Sequence, residues 1–374
     1  MTSVIFAGGG TGGHLYPALA IADALCAQRS DVRPHFVGAR RGVEARVLPQ
    51  RGVEHTLLPL QPIFRSRVWR NWRLAPALAG GFRALRQLFR RLDPRLVVGT
   101  GGYASAPACA WGVLRGVPVA LQEQNSYPGF TTRLLARWAR QLHLGFPEAQ
   151  KRLRTGRRTE VFSLGNPVQP PDASIDRAAA KRAFGLTPDG PVLLVVGGSQ
   201  GARALNAALL SALERSAAGE LGPRPAGLQI LWSTGPAHLD AVQRGLTPLG
   251  VDSWVRAVGY IDDMPRALAT SELALSRAGA IGTAELLAWG IPMLLVPLPT
   301  AAADHQTHNA RALEAAQAAV VIPERDLDAA ALWNELVRLA GDEEGRSRMA
   351  AAARARARPE AAHDIARELA RLIP

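Results

Sequence analysis

Val4-Ile5-Phe6-Ala7-Gly8-Gly9-Gly10-Thr11-Gly12-Gly13-His14 runs into Pro17-Ala18-Leu19-Ala20-Ile21-Ala22-Asp23-Ala24-Leu25. Four apolar residues make one short buried strand, and an Ala/Leu-rich segment with Pro in its first turn makes a helix. Strand, glycine loop and helix together form a phosphate-binding arrangement. Glycine lets the backbone approach an anion, and a helix N-terminus offers unpaired N–H groups at the positive end of its dipole. The spacing Gly8-x-Gly10-x-x-Gly13 also fits the dinucleotide fingerprint. A tight turn without a ligand is the plain alternative, although five glycines and a histidine exceed what a turn needs.

The same unit returns downstream. Val192-Leu193-Leu194-Val195-Val196 ends in Gly197-Gly198-Ser199-Gln200-Gly201 and feeds an Ala/Leu helix over 202–213. Other strands are expected at 32–38, 95–99, 117–121, 161–164, 228–233 and 293–296, with a crossover helix over 77–92. Apolar strands alternating with helices imply parallel sheets covered on both faces, and such sheets bind ligands beyond their strand C-termini. The glycine loops at 8–14 and 99–103, and Asn125, all fall there. The fold class expected is therefore α/β with two doubly wound, Rossmann-like domains. Residues 1–165 form the first, the Pro-rich 166–190 a linker, 191–358 the second, and 359–374 a closing helix that crosses back to the first.

The chain has 374 residues, 48% of them hydrophobic, and a net charge of +13. The charge is uneven. Residues 1–168 hold 24 Lys and Arg against 8 Asp and Glu, whereas residues 169–374 hold 20 against 23. The first half should therefore face something anionic: nucleic acid, an anionic membrane or a phosphorylated substrate. Two cysteines make neither a disulfide framework nor a metal pattern, and no apolar run is long enough to cross a bilayer. The chain enters its first strand at once, so no signal peptide is expected. Between Glu54 and Asp93 there is no acid. Phe64, Val68 and Trp72 recur there every four residues beside Trp69, with Arg67, Arg70 and Arg73 elsewhere on the wheel. A basic helix carrying tryptophans suits a membrane interface; inward-packed tryptophans with solvated arginines are the alternative.

Several side chains carry candidate chemistry. Ser199 is suited to a phosphate or to capping the helix that follows. Gly279 and Gly282 bare the start of a helix in Ser276-Arg277-Ala278-Gly279-Ala280-Ile281-Gly282-Thr283-Ala284-Glu285. Glu285, about one turn in, fits a ribose diol or a favourable first-turn dipole position. The run Asp304-His305-Gln306-Thr307-His308-Asn309 has the mixed donors and acceptors that sugar hydroxyls need. Metal binding by His305 and His308 competes, without a supporting ligand pattern. Asp262-Asp263 should cap a helix at Met264. His14 is either a general base or a hydrogen-bond donor in its loop.

These motifs occur together and in order with Glu123-Gln124-Asn125, Gly165-Asn166-Pro167-Val168, Tyr260-Ile261-Asp262-Asp263-Met264 and Gln306-Thr307-His308-Asn309-Ala310. Over nearly its whole length the chain resembles the glycosyltransferase family 28 enzymes that complete the peptidoglycan lipid precursor. The resemblance implies a GT-B fold with the active site in an interdomain cleft. It also implies inverting transfer of GlcNAc from UDP-GlcNAc to the C4 hydroxyl of MurNAc in undecaprenyl-pyrophosphoryl-MurNAc-pentapeptide, without a metal or other cofactor. Carried over, Ser199 binds phosphate, the Ile261 backbone reads uracil, and Glu285 holds the ribose. Ala280, Ile281, Gly282 and Thr283 present a helix N-terminus to the diphosphate, and Gln306 contacts sugar hydroxyls. Thr11, Gly12, Gly13 and Asn125 also line the donor side. Gly10, His14, Gly101, Gly102 and Tyr103 take the acceptor, with His14 the candidate base. The basic segment with Phe64, Val68, Trp69 and Trp72 docks on anionic lipids at the cytoplasmic face of the inner membrane. Other cell-wall synthesis proteins are further expected partners, and nucleic acid is not. Two departures from the family pattern stand out: Gln169 where the family has Arg, and His305-Gln306 where it often has a Gln pair.

The Gly8-x-Gly10-x-x-Gly13 spacing also admits an NAD(P)-linked oxidoreductase. Gly38-Ala39-Arg40-Arg41 stands where an NAD site would place an acid, which disfavours NAD while tolerating NADP. A non-enzymatic nucleic-acid or membrane-binding protein is the second rival. Neither explains the second glycine loop or the polar run at 304–309.

Overall fold

A computed structural model describes residues 1–60 and 74–374. The basic segment with Phe64, Val68, Trp69 and Trp72 lies outside the described residues. The chain divides into two compact units, residues 1–169 with 358–374 and residues 170–357.

The first unit is built from β1 (Thr2–Gly8), α1 (Gly12–Gln28), β2 (Val32–Ala39), α2 (Glu44–Gln50), β3 (His55–Leu58), α3 (Leu74–Leu92), β4 (Leu96–Gly101), α4 (Ser105–Leu114), β5 (Val119–Glu123), α5 (Phe130–Leu135), β6 (Gln141–Leu144) and β7 (Glu160–Phe162). The seven strands among its described residues are all parallel, in the order β3-β2-β1-β4-β5-β6-β7. Alternation along β1 explains why a continuous apolar run is needed. Val4 and Phe6 point to one face, onto Leu15, Leu19 and Phe36; Ile5 and Ala7 point to the other, onto Leu85, Ala108 and Cys109. All four β1 residues are fully buried, each large one contributing roughly 1.5–3 kcal/mol of apolar transfer.

The second unit holds α6 (Arg177–Ala183), β8 (Val192–Val196), α7 (Arg203–Ala217), β9 (Gln229–Ser233), α8 (Leu239–Leu246), β10 (Val255–Val258), α9 (Met264–Thr270), β11 (Leu273–Ser276), α10 (Ala280–Trp289), β12 (Met293–Leu295), α11 (His305–Ala315), β13 (Ala319–Val321), α12 (Ala329–Gly341) and α13 (Glu343–Arg356). Its six strands are parallel too, in the order β10-β9-β8-β11-β12-β13. Helix α6 falls inside the stretch expected as linker. Asp176 caps it by accepting from Ala178 N and Ala179 N, and its buried Lys181 donates to the Gly190 carbonyl at 2.7 Å. The last helix, α14 (Ala361–Ala370), belongs to the first unit. Its Ile365, Ala366 and Leu369 are fully buried against α1 and the Val4/Phe6 face.

In each sheet the strand order reverses at one place, between β1 and β4 in the first unit and between β8 and β11 in the second. Parallel open sheets bind ligands beyond the strand ends at this point, because neighbouring connections leave there in opposite directions and open a crevice. The loops following those four strands are residues 9–11, 102–104, 197–202 and 277–279.

Candidate functional site

In the first unit the two glycine loops pack on each other. A Cβ on Gly102 (φ +77°) would stand 2.1 Å from the Gly9 carbonyl oxygen, and one on Gly101 would stand 2.9 Å from Nδ1 of His14. A third partner is absent from the sequence motifs. Glu44, fully buried at the start of α2, accepts from Gly10 N at 2.8 and 3.1 Å and from Ala39 N at 2.8 Å. Much of the glycine content of residues 8–10 therefore serves contact with a carboxylate and a second loop. Gly10 N–H is spent on Glu44, and a diphosphate at that amide would sit beside a buried carboxylate, which argues against a dinucleotide site. The open donors are further along. Thr11 is the exposed N-cap of α1 and its side chain makes no capping bond, which leaves the first-turn amides of Gly12 and Gly13 for an anion.

His14 stands in the first turn of α1, and its Nδ1 is 3.0 Å from Oε1 of Gln124. Its carbonyl accepts from Thr100 Oγ1 at 2.8 Å, which ties α1 to β4. Tyr103 lies over Gly10, where a Cβ would meet its ring at 3.0 Å, and burial raises its phenol pKa. Beside Gln124, the buried Glu123 accepts from Asn125 N at 3.1 Å and from Gly129 N at 2.9 Å, which shapes the loop carrying Asn125.

In the second unit, Ser199 sits exposed in the loop after β8. Capping is excluded for it: the N-cap of α7 is Ala202, three residues on. The N-cap of α10 is Gly279, and its side-chain position is bare. A Cβ on Gly279 or Gly282 would meet nothing within 4 Å, and neither residue has a positive φ. No conformational or packing demand among the described residues calls for glycine there, so both keep a helix N-terminus uncovered. Thr283 turns its hydroxyl back onto the Gly279 carbonyl at 2.9 Å. Glu285 lies in the second turn of α10, not the first, which removes the dipole reading. It is half-buried, takes part in no hydrogen bond or ion pair among the described residues, and burial pushes its carboxyl pKa up to about 7. A carboxylate partly desolvated and left unpaired is poised for hydroxyl donors.

The polar run at 304–309 divides in the structure. Asn309 is buried and donates to the Ala278 carbonyl at 3.1 Å; Thr307 donates to Asp304 at 2.7 Å; His305 Nδ1 contacts the Ala302 carbonyl at 2.7 Å. Gln306 Oε1 accepts from Leu298 N at 3.0 Å, which directs its amide nitrogen away from that backbone. The buried Arg277 donates to the Val296 and Pro297 carbonyls and pairs with Glu324 at 2.5 Å. It thereby fixes the loop before α10 against the loop after β12. Ile261 is buried side chain inward, and no described residue takes its backbone N–H or carbonyl. Asp263 caps α9 by accepting from Arg266 N at 3.2 Å. Among the described residues no three His, Cys, Asp or Glu side chains cluster as metal ligands, and no helix is long and apolar enough to cross a membrane.

Residues 4–144 match the glycosyltransferase family 28 N-terminal domain, and residues 192–365 match the glycosyltransferase family 28 C-terminal domain. The chain belongs to glycosyltransferase family 28. A relative from Salinibacter ruber is 42% identical over 98% of this chain and 95% of its own length; one from Moorella thermoacetica is 41% identical over 97% and 96%. Both are named UDP-N-acetylglucosamine–N-acetylmuramyl-(pentapeptide) pyrophosphoryl-undecaprenol N-acetylglucosamine transferase. The crystal structure of Acinetobacter baumannii MurG superposes with a TM-score of 0.78 at 25% identity, covering 99% of this chain and all of that one. The two parallel α/β units are thus the GT-B architecture of family 28. Within it, the structure adds Glu44, Glu123, Gln124 and Arg277 as the side chains that hold the loops. The motifs contain three of these without saying what they touch, and Glu44 lies outside every motif.

Proposed function

We propose that this family 28 chain transfers GlcNAc from UDP-GlcNAc to the C4 hydroxyl of MurNAc in undecaprenyl-pyrophosphoryl-MurNAc-pentapeptide, with inversion at the anomeric carbon. Its full-length likeness to relatives named for this transfer carries the reading. The second unit takes the donor. Ser199 and the amides at Ala280, Ile281, Gly282 and Thr283 hold the diphosphate, Glu285 accepts from the ribose hydroxyls, the Ile261 backbone reads uracil, and the Gln306 amide meets the sugar. Negative charge grows on the leaving diphosphate as the bond to the anomeric carbon breaks. A fixed helix N-terminus stabilises that charge without reorganising, an effect worth a few kcal/mol.

In the first unit, Thr11, Gly12, Gly13 and Asn125 reach the donor. Gly10, Gly101, Gly102 and Tyr103 form the wall for the acceptor, and His14 takes the proton of the attacking hydroxyl. Radiolabel transfer from UDP-GlcNAc to a lipid I analogue tests the reaction: no transfer refutes it. His14→Ala should lower turnover by about two orders of magnitude or more; near-normal turnover with weakened acceptor binding refutes the base assignment.

The enzyme acts as a peripheral protein at the cytoplasmic face of the cell membrane, where Phe64, Val68, Trp69 and Trp72 dock on anionic lipid, and other cell-wall synthesis proteins are partners there. The basic first half supports this. Changing Trp69 and Trp72 to Ser should reduce sedimentation with anionic vesicles while sparing transfer to a short-chain soluble acceptor; unchanged sedimentation refutes it.

A further inference from the structure

The amide of Gln124 has only one orientation open to it. Its Nε2 donates to the Thr100 carbonyl at 2.7 Å, and a main-chain carbonyl accepts only. A second chain of bonds reaches the same result independently. Asn166 Nδ2 donates to the Gln124 carbonyl at 3.0 Å, so Asn166 Oδ1 is an acceptor and receives Gln122 Nε2 at 3.1 Å. Gln122 Oε1 is therefore an acceptor too, and it takes Gln124 Nε2. All three amides are buried, so water does not compete for these roles. Two backbone carbonyls, one at each end, thus force Gln124 Oε1 to face His14 as an acceptor. A neutral imidazole has one N–H, and here it must lie on Nδ1, 3.0 Å from that oxygen. The lone pair then belongs to Nε2. Gly101 leaves room for the ring, and the Thr100 hydroxyl holds the His14 backbone.

We propose that Gln124 is a positioning residue for the transfer, fixing His14 in the tautomer whose Nε2 accepts the proton of the attacking hydroxyl. This rests on His14 being the base. The proton passes from the acceptor oxygen to Nε2 as that oxygen forms its bond to the anomeric carbon, and the bond to UDP breaks with its electron pair. The imidazolium that results keeps both nitrogens protonated, and Gln124 Oε1 still accepts from Nδ1, so none of the three amides need turn during the reaction.

The tautomer is read directly in the full-length wild-type protein labelled with 15N-histidine, the His14 signal being assigned by its loss in His14→Ala. Two-bond couplings should show Nδ1 protonated and Nε2 unprotonated at a pH where the ring is neutral; the opposite pattern overturns the inference without any variant at Gln124. Gln124→Met removes the acceptor at similar volume. It should lower kcat about 10- to 100-fold with KM for both substrates within about threefold, and move His14 toward the Nε2–H form. Gln124→Met should cost nothing further when combined with His14→Ala. If His14→Ala loses turnover while Gln124→Met keeps both full kcat and the Nδ1–H signal, the positioning role fails and the base assignment stands. If His14→Ala keeps full kcat, the base assignment itself fails.

Discussion

Glu44→Gln tests the claim that a buried carboxylate holds the first glycine loop. The side chain keeps its shape and loses one acceptor. Oε1 now serves Ala39 N at 2.8 Å and Gly10 N at 3.1 Å, and Oε2 serves Gly10 N at 2.8 Å. With the glutamine oxygen in the Oε1 place, its NH2 group faces the Gly10 N–H at 2.8 Å; with the amide turned over, it faces Ala39. Either way a donor meets a donor. Glu44 packs so closely on the backbone of Gly9, Gly38 and Gly42 that a Cβ added to any of them would stand within 2.4 Å of its side chain, which leaves the amide little room to swing aside. A bond to a charged acceptor contributes about 1.5–3 kcal/mol, and a stranded buried donor costs about 1–3 kcal/mol. Relief from burying the carboxylate charge offsets part of this. The net expectation is about 3 kcal/mol, which for a unit of this size lowers its melting temperature by about 6–12 °C. Differential scanning calorimetry of the full chain, following the transition of the first unit, measures it. A midpoint within about 2 °C of wild type would refute the clamp.

Three further outcomes follow from other parts of the molecule. Because burial pushes the Glu285 carboxyl up to about 7 when no ligand is bound, and ribose hydroxyls bind its ionised form, UDP-GlcNAc should bind roughly tenfold more tightly at pH 8 than at pH 6, the ratio of ionised fractions; titration calorimetry should show Glu285→Gln flat over that range, and a wild-type affinity independent of pH removes Glu285 from the donor site. Gly282→Ala places a methyl in open space on the first turn of α10, so it should leave the protein as stable as wild type or up to about 1 kcal/mol more stable, while raising KM for UDP-GlcNAc; an unchanged KM denies that the diphosphate approaches there. His143 is fully buried in β6, and desolvation lowers its pKa to about 3 from an unfolded value near 6.5. Since only the unfolded chain binds that proton between those values, stability should be full above about pH 6.5 and fall by a few kcal/mol toward pH 3; His143→Gln should flatten part of that acid limb in urea titrations, and an identical limb refutes it.

Some of this was legible in one dimension and some was not. The repeated unit of apolar run, glycine cluster and Ala/Leu helix at 4–25 and 192–213 was sufficient for two doubly wound units. A strand buried on both faces must be apolar throughout, and the turn into its helix must be small, so both demands act on neighbouring residues. Short strands such as His55–Leu58, Val255–Val258 and Leu273–Ser276 carry too few residues for a period to register. They exist because the strands beside them supply the ladder.

The sequence by itself determined where the loops lie and which residue types they offer: His14, Asn125, Ser199, Glu285 and Gln306 are all chemically suited and all end up in switch-point loops, on the helices that follow them, or near them. Tertiary structure alone decided what each of those residues touches. Glu44 reaches Gly10 from 34 positions away, and Gln124 reaches His14 from 110. Folding also placed Ser199 outside the helix cap and left Glu285 unpaired and desolvated. The physical reason is range. Period and turn chemistry act over a few residues, whereas a buried hydrogen bond or a shifted pKa depends on which distant groups the packed chain brings within about 3 Å, and on how much water it removes.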